Sequence, residues 1–588
     1  MAENQLDQVE QQADNTRWPH KWGFADTHFV AHADRSVSLT GQRYNICGYK
    51  MPYFVPYLED ILGITFNPDE EKAEIQDKPI TPPQRNEAFC QSIEQHFKAH
   101  QYRFDNQERL SHSHGQTTEE LYKVLYSRLE RAVDMVFYCE SEADVQALIP
   151  LAAKHKVCLV PYGGGTNVSR ALELPQQEER MIVAVDTRRM NQIEWIDTEN
   201  FRACVQAGIT GTDLEIALNK AGFTSGHEPD SIELSTLGGW IATNASGMKK
   251  NRYGNIEQIV EKIEIITPTG KLEQIAPTPR SSMGIQPQNL LFGNEGNLGI
   301  ITKAIIRIHR KPTIQKYGSI VFPSFDKGVE FLYELKNHSG SLPASIRLVD
   351  NAQFRFGQTL KPRLTGFQAW LEALKKFYLL KIRGFHPKQL VAVTIVFEGS
   401  SQETAYQEAN LYALAKQYRG MPAGATNGQR GYMLTYAIAY LGNFMAAFNV
   451  TGETFETTVP WSNIKQVCSN VESELQRQHQ QFGLSGRVFL SYRISQLYHT
   501  GVCVYFTFAI CTKGVSHPDV VLSKIEQALR KTIMDNGGSI SHHHGIGKIR
   551  QDFMKDTLSE TSIQLLKKLK KDIDPDNVFG IRNSVFSD

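Results

Sequence analysis

Three groups of residues stand out as able to do chemistry. Gly163, Gly164 and Gly165 lie between the apolar run Val157–Val160 and the small polar pair Thr166 and Asn167. Glycine lets the backbone take positive φ and come close to a ligand, and successive N–H groups in such a turn converge on an anion, most often a phosphate. His542, His543 and His544 run consecutively between Gly537-Gly538 and the glycines at 545 and 547. Imidazoles crowded by glycine suit close approach of a ligand, either to bind a phosphate or to polarise another catalytic group. On a strand at most two of the three would face one side. Zinc fits poorly, because no cysteine or carboxylate stands at ligand spacing, and no metal centre is expected. Arg347 interrupts an apolar run, Ile346-Arg347-Leu348. Burying its charge requires a partner, either a substrate phosphate or a structural carboxylate.

Two more clusters of small residues accompany the glycine loop, which begins at Pro161 and Tyr162. In one, Asp230, Ser231, Ile232, Glu233, Leu234, Ser235 and Thr236 precede Gly238-Gly239, and Thr243, Asn244, Ala245 and Ser246 follow. In the other, Glu295, Gly296, Asn297, Leu298 and Gly299 lead into Ile300 and Ile301. Each offers backbone N–H groups and side-chain hydroxyls or amides to a polar ligand. One such cluster is a loop by default, whereas three between residues 129 and 311 point to an extended dinucleotide site. It is not of the Rossmann kind, because Gly293–Gly299 spells G-x-x-G-x-x-G and is followed by a strand pattern rather than a helix.

Elements that place these residues follow from periodicity and caps. Strands are expected over 135–138, 157–160, 181–185, 193–196, 202–206, 263–267 and 300–308. Helices are expected over 141–155, with Ser141 as N-cap, and over 211–221. From about 317 strands (318–322, 391–397, 502–508) alternate with helices (327–336, 402–417, 463–482), and a last helix spans 561–573. The fold class is therefore α+β. Residues 1–20, rich in Gln, Asp and Glu, read as a disordered tail. A mostly helical extension fills 21–128, a dinucleotide-binding domain 129–311, a substrate or cap domain 312–538, and a C-terminal segment 539–588 returns to the site.

Composition narrows the class. A chain of 588 residues needs more than one core. Lys+Arg and Asp+Glu both number 63, so no basic excess is available for nucleic acid. The 8 cysteines show no CxxC pair, which suits a reducing compartment. No apolar run is long enough to cross a membrane, and neither a secretory signal nor a C-terminal Ser-Lys-Leu signal is evident.

The order P-x-G-G-G-T, S-T-L-G-G-W-I-A-T-N-A-S-G, G-N-E-G-N-L-G-I-I-T, H-H-H-G-I-G and D-P-x-N-V-F-G resembles the flavoproteins of vanillyl-alcohol-oxidase fold, with their PCMH-type FAD-binding domain. The stretches at 226–236, 245–257, 344–354, 427–436 and 541–550 narrow this to the alkylglycerone-phosphate synthase family of ether-lipid synthesis. The resemblance implies FAD held without a covalent bond, since relatives that tether the flavin in this loop do so through a histidine and here the loop has Thr166-Asn167. It implies exchange of the acyl chain of 1-acyl-dihydroxyacetone phosphate for a long-chain fatty alcohol, giving the alkyl ether and a fatty acid. The route is through an adduct at flavin N5, without net redox change.

The same resemblance assigns roles. Tyr498, in Ser495–Cys503, matches the tyrosine that takes and returns a proton at substrate C1, and Arg347 matches an essential arginine. Family members from animals carry an arginine where Gly442-Asn443 stand here. Asn443 is then a candidate substrate contact, with Arg430 or another cation as substitute. Residues 361–386 form a basic helix with apolar residues at helical spacing, able to lie on a membrane surface or to cover a core. The apolar 436–450 stretch can line an acyl tunnel. Family members from eukaryotes are peroxisomal and a homodimer is expected; otherwise a cytoplasmic, membrane-peripheral location fits. Two competing readings are an FAD-linked 2-hydroxyacid dehydrogenase of the same fold and a flavin-free lipid-binding protein.

Overall fold

The computed structural model describes residues 15–275, 278–338, 342–363 and 365–587, so most of the expected disordered tail lies outside the described residues. The chain divides into two compact units. The first comprises residues up to 74 together with 312–539, and the second 75–311 together with 540–588.

In the second unit a four-stranded sheet runs Tyr102–Arg103, Met135–Tyr138, Ile182–Asp186, Cys158–Tyr162. The last three strands pair in parallel, and every residue of Ile182–Asp186 is buried, as the unbroken apolar run of a central parallel strand requires. Helix Glu142–Lys154 makes the crossover between the first and last of these three. It starts where expected, with the Ser141 hydroxyl accepting the Asp144 N–H and the Asp144 side chain capping in return. A second, antiparallel sheet runs Gly270–Leu272, Val260–Thr267, Ile300–Arg307, Arg202–Gln206, Ile193–Asp197. Its core includes Val205, Ile263 and Ile306, packed with Trp240 and Leu214 from short helices.

The first unit is built on a seven-stranded sheet whose two faces differ sharply. The order is Met421–Pro422, Ile314–Phe322, Val391–Gly399, Ser345–Val349, Phe489–Leu497, Gly501–Cys511, Val450–Pro460. Side chains alternate along a strand, so one set of positions builds the core. Ile346, Leu348, Val393, Ile395, Ile494, Val504 and Phe506 form it with Phe331, Val471 and Leu529 of the covering helices. The alternate positions are mixed: they carry Ser319, Thr394, Arg347, Arg493, Tyr505 and Glu456, while Val321, Val349 and Ala392 at one end form a smaller apolar cluster with Phe385 and Leu390. Register places Thr394 opposite both Ser319 and Arg347, and Tyr505 opposite both Arg493 and Glu456. A bulge between Ile494 and Gln496 inserts one residue. It keeps Leu497 in the core and leaves Gln496 on the polar face.

Residues 21–128 do not form one extension. Up to 74 they pack with the first unit, where Phe29, Phe54 and Phe66 surround Phe444 at centroid distances of 6.0–6.4 Å. The 436–450 stretch, expected to line a tunnel, thus spends part of its apolar surface on these rings. From 75 the chain belongs to the second unit. There the fully buried Arg109 donates to the carbonyls of Val133 and Thr81.

The C-terminal segment is tied into the second unit along its length. The Leu159 N–H donates to the Val578 carbonyl, and Val578 and Phe579 enter the core. The Glu295 carboxylate accepts the N–H groups of Ile546 and Gly547 at 2.9 Å. Asn583 donates from its backbone to Asn297 and from its amide to the carbonyls of Ala171 and Glu295.

Burial raises the Glu295 carboxyl to about 7, against the opposing pull of the two N–H groups and Lys548. A carboxyl held above its unfolded value binds its proton more tightly when folded. Its stabilising effect is full below roughly pH 4.3, the ordinary glutamate value, and is lost as pH rises toward about 7. Glu295→Gln is therefore expected to flatten the fall in unfolding free energy between pH 5 and 7, read from urea transitions. An unchanged slope would assign that titration to other groups.

Candidate active site

In the second unit the three clusters converge. A Cβ on Gly163 would collide with the Thr236 hydroxyl at 2.5 Å, and one on Gly164 would strike the Leu234 carbonyl. Gly165 takes φ +69°, with the Tyr162 hydroxyl where a side chain would go. The third cluster joins them: Gly293 and Glu295 donate to the carbonyls of Ile241 and Ala242, and Gly296 sits against Pro161. Leu298, Ile300 and Ile301 turn their side chains into the core, so only their backbone is left for a ligand. Ser231, Ile232 and Ser235 hold a turn whose end is pinned when the Trp240 indole donates to the Ser235 hydroxyl at 2.8 Å. Thr243 closes its helix onto the Gly239 carbonyl, Asn244 ends it at φ 51°, and Ser246 donates to Asn255.

The loop that follows the histidine run lies on the same clusters. Residues 541–544 form a bend rather than a strand, so the expected alternation does not hold. The glycines that follow are the reason: Gly545 and Gly547 turn at positive φ against Glu295 and Ser169. His542 and His543 share a ring-nitrogen contact of 2.8 Å, and the His543 and His544 rings meet edge to face at 4.6 Å. Next to them, burial lowers the Lys548 ammonium to about 8, with Glu173, Glu295 and Glu120 opposing, and it donates to Asn583 at 2.8 Å.

Two buried polar groups here escaped the sequence reading. His227 is 1% exposed, packs against Trp240 at 4.7 Å, and has neither ring nitrogen hydrogen-bonded. Burial alone lowers it to about 3, so it is a neutral imidazole. The Ser169 hydroxyl, just past the glycine loop, is equally buried and unbonded. Polar groups buried without partners are costly. Their position among close-packed glycine loops fits a polar cofactor, and sequence spacing gave no signal for either.

In the first unit Arg347 is buried in the middle of the polar face. It donates to the Thr435 hydroxyl at 2.9 Å and stands 4.9 Å from the Tyr432 ring, both on helix Ala425–Ile438. Tyr498 ends the neighbouring strand, its N–H donating to the Gly501 carbonyl and its hydroxyl to the Gln496 amide oxygen at 3.1 Å. Arg347 and Gln496 thus belong to one sheet, and Tyr498 follows directly on its strand Phe489–Leu497. Arg493, also missed from sequence, shares that face and lies 3.9 Å over Tyr505. Arg430 is elsewhere on its helix. Burial lowers both it and Lys361, and each feels Glu372. Asn443 is half-buried on helix Leu441–Ala447, and a Cβ on Gly442 would meet nothing within 4 Å.

Comparison with known proteins gives these halves a context. Residues 133–276 match the family described as FAD binding domain, and 311–581 match the FAD linked oxidases, C-terminal domain. The chain is 39% identical over 567 residues to the alkyldihydroxyacetonephosphate synthase of Caenorhabditis elegans, covering 96% of this chain and 94% of that one. It is 31% identical to the Dictyostelium discoideum protein of the same name, over 88% and 84% of the two chains. A solved alkyldihydroxyacetonephosphate synthase structure superposes with a TM-score of 0.81, at 27% identity over 96% of this chain and 98% of that one. p-Cresol methylhydroxylase shares the fold alone, at TM-score 0.62 and 13% identity. With FAD as cofactor, the chain belongs to the alkyldihydroxyacetonephosphate synthase family of ether-lipid biosynthesis.

Proposed function

We propose that the chain exchanges the acyl group of 1-acyl-dihydroxyacetone phosphate for a long-chain fatty alcohol, releasing a fatty acid without net redox change. The observation that supports this most is the polar face of the seven-stranded sheet. It carries a buried cation, Arg347, and leads directly into an oriented phenol, Tyr498, while the sheet's other side packs the main apolar core.

In this reading Tyr498 takes a proton from substrate C1 and later returns it. The Gln496 amide oxygen accepts the Tyr498 hydrogen bond and so fixes where the phenol oxygen points. Arg347, held by Thr435 and the Tyr432 ring, supplies positive charge for the substrate phosphate. The C1–O bond of the ester breaks and the fatty acid leaves with that oxygen. The alcohol oxygen then forms the new C1–O bond and gives up its proton. When bound, FAD would supply nucleophilic character at its N5 for this exchange. The loops at 161–167, 230–246 and 295–301 hold the cofactor without a covalent bond, because Thr166 and Asn167 offer no imidazole to tether it. The histidine run either binds phosphate or polarises the tyrosine.

Lipid access is part of the proposal. Helix Gly366–Phe377 continues as one wide turn to Ile382; Leu379 in that turn packs on a small apolar cluster, but the large rings of the helix do not. Phe367 is 73% exposed, Trp370 58% and Phe377 55%. Aromatic side chains beside lysines on one exposed helix suit a membrane surface. Among the described residues no helix is long and apolar enough to cross one.

Two tests follow. Wild-type protein incubated with palmitoyl-dihydroxyacetone phosphate and labelled hexadecanol is expected to form labelled alkyl ether. Tyr498→Phe is expected to keep its flavin absorbance and lose about 10²–10⁴-fold in rate, the usual range for a general acid–base group. No ether from the wild type, or flavin bleached by lactate, would sink the assignment, and full activity in the variant would remove Tyr498 from it. Trp370→Ser with Phe377→Ser is expected to weaken co-sedimentation with phospholipid vesicles at least about tenfold, since burying each such ring is worth roughly 1.5–3 kcal/mol. Equal binding would rule out this helix as the contact.

A further inference from the structure

We infer that residues 111–120 are a clasp that fixes the cofactor loop, with Gly115 and Glu120 as positioning residues for FAD. This segment lies before the stretch that matches the FAD binding domain, which begins at 133. Yet it holds the glycine loop at both ends. At the near end the Tyr162 hydroxyl donates to the Ser111 carbonyl at 3.2 Å, and the Tyr162 ring packs on His112 at 4.3 Å. That same hydroxyl occupies the place a side chain would take on Gly165. At the far end the Gln116 N–H donates to the Asn167 carbonyl at 2.7 Å. Gly115 passes so close that its Cβ would stand 2.6 Å from both the carbonyl and the amide oxygen of Asn167.

The clasp is itself braced. Glu120 is buried, and its carboxylate accepts the Gly115 N–H at 2.8 Å and the Thr117 hydroxyl at 2.7 Å. His112 contacts Asp186 at 2.9 Å, and Arg188 pairs with the same carboxylate. Glu119 reaches across to Arg170, three residues beyond Asn167. A loop hydrogen-bonded at each end, by the Tyr162 hydroxyl and by the Asn167 carbonyl, and packed against a glycine that admits no side chain has one conformation available. That is what an array of N–H groups aimed at a ligand requires.

The inference rests on the flavin site and not on the ether-forming chemistry, so its readout is cofactor retention. Purified holoenzyme is diluted and released FAD is followed by its fluorescence, while thermal unfolding of the apoprotein is followed by circular dichroism. Gly115→Ala drives a methyl into Asn167 and is expected to raise the FAD Kd at least about tenfold, or ~1.4 kcal/mol. Glu120→Gln, which keeps the size, is expected to raise it less but in the same direction. Gly328→Ala is the control: its Cβ would meet Leu348 at 2.7 Å in the first unit, so it should cost stability and leave FAD affinity unchanged. Wild-type Kd in both Gly115→Ala and Glu120→Gln would overturn the clasp. So would an equal rise in Gly328→Ala, because the loss would then follow stability in general.

Discussion

The Glu295 carboxylate is the contact on which the second unit depends. It stands at φ 47° on the third glycine cluster and accepts N–H groups from the loop that follows the histidine run. That one side chain fastens residues more than 250 positions apart, and its backbone carbonyl anchors Asn583 as well. A buried carboxylate with N–H donors on it is stabilised by them and penalised by its surroundings, and here burial prevails. Such a group holds well only while its donors stay in place. The close approach of Gly545 and Gly547 to Ser169 is therefore part of the same arrangement, because any side chain at either position would push the donors away.

In the first unit the governing constraint is strand alternation. Six of the seven strands share one apolar face, and that fixes register across the sheet, since a slip of one residue would turn Arg347 and Arg493 into the core. The polar face is thus a by-product of the core's demand for Ile346, Leu348 and Ile494 on the other side. The bulge before Gln496 is the one local exception, and it leads directly into Tyr498. A tyrosine at a strand end, with its N–H bonded to Gly501 and its hydroxyl to the side chain two residues back, has little freedom to reorient.

Much of this was legible in sequence, for identifiable reasons. Strands such as Ile182–Asp186 and helices such as Glu142–Lys154 declare themselves through unbroken apolar runs and caps, which are local properties. The three glycine clusters were visible because glycine is costly where nothing needs it. His227 and Ser169 were not, because what marks them is the absence of a partner, a property of three-dimensional surroundings. Arg493 was hidden for a related reason: its strand, with Tyr492 and Arg493 adjacent, shows no clean alternation. Sequence marked a proline-interrupted connector at 78–83, between Phe66 and Phe89, but its periodicity could not show that these residues join different cores.

The helix at 366–382 shows where pattern ends and packing must decide. An amphipathic helix covering a core and one lying on a bilayer have the same periodicity, because each hides one apolar stripe from water. They differ only in whether the protein itself supplies the cover. Phe367, Trp370, Phe377 and Ile382 are all more than half exposed, so it does not. Large rings left in water on a soluble surface are unfavourable by the same amount that burying them would return. In the proposed reaction the substrate carries a long acyl chain and the product a long alkyl chain, which would give that cost a purpose, because a surface that settled into lipid would also be one through which such chains could pass.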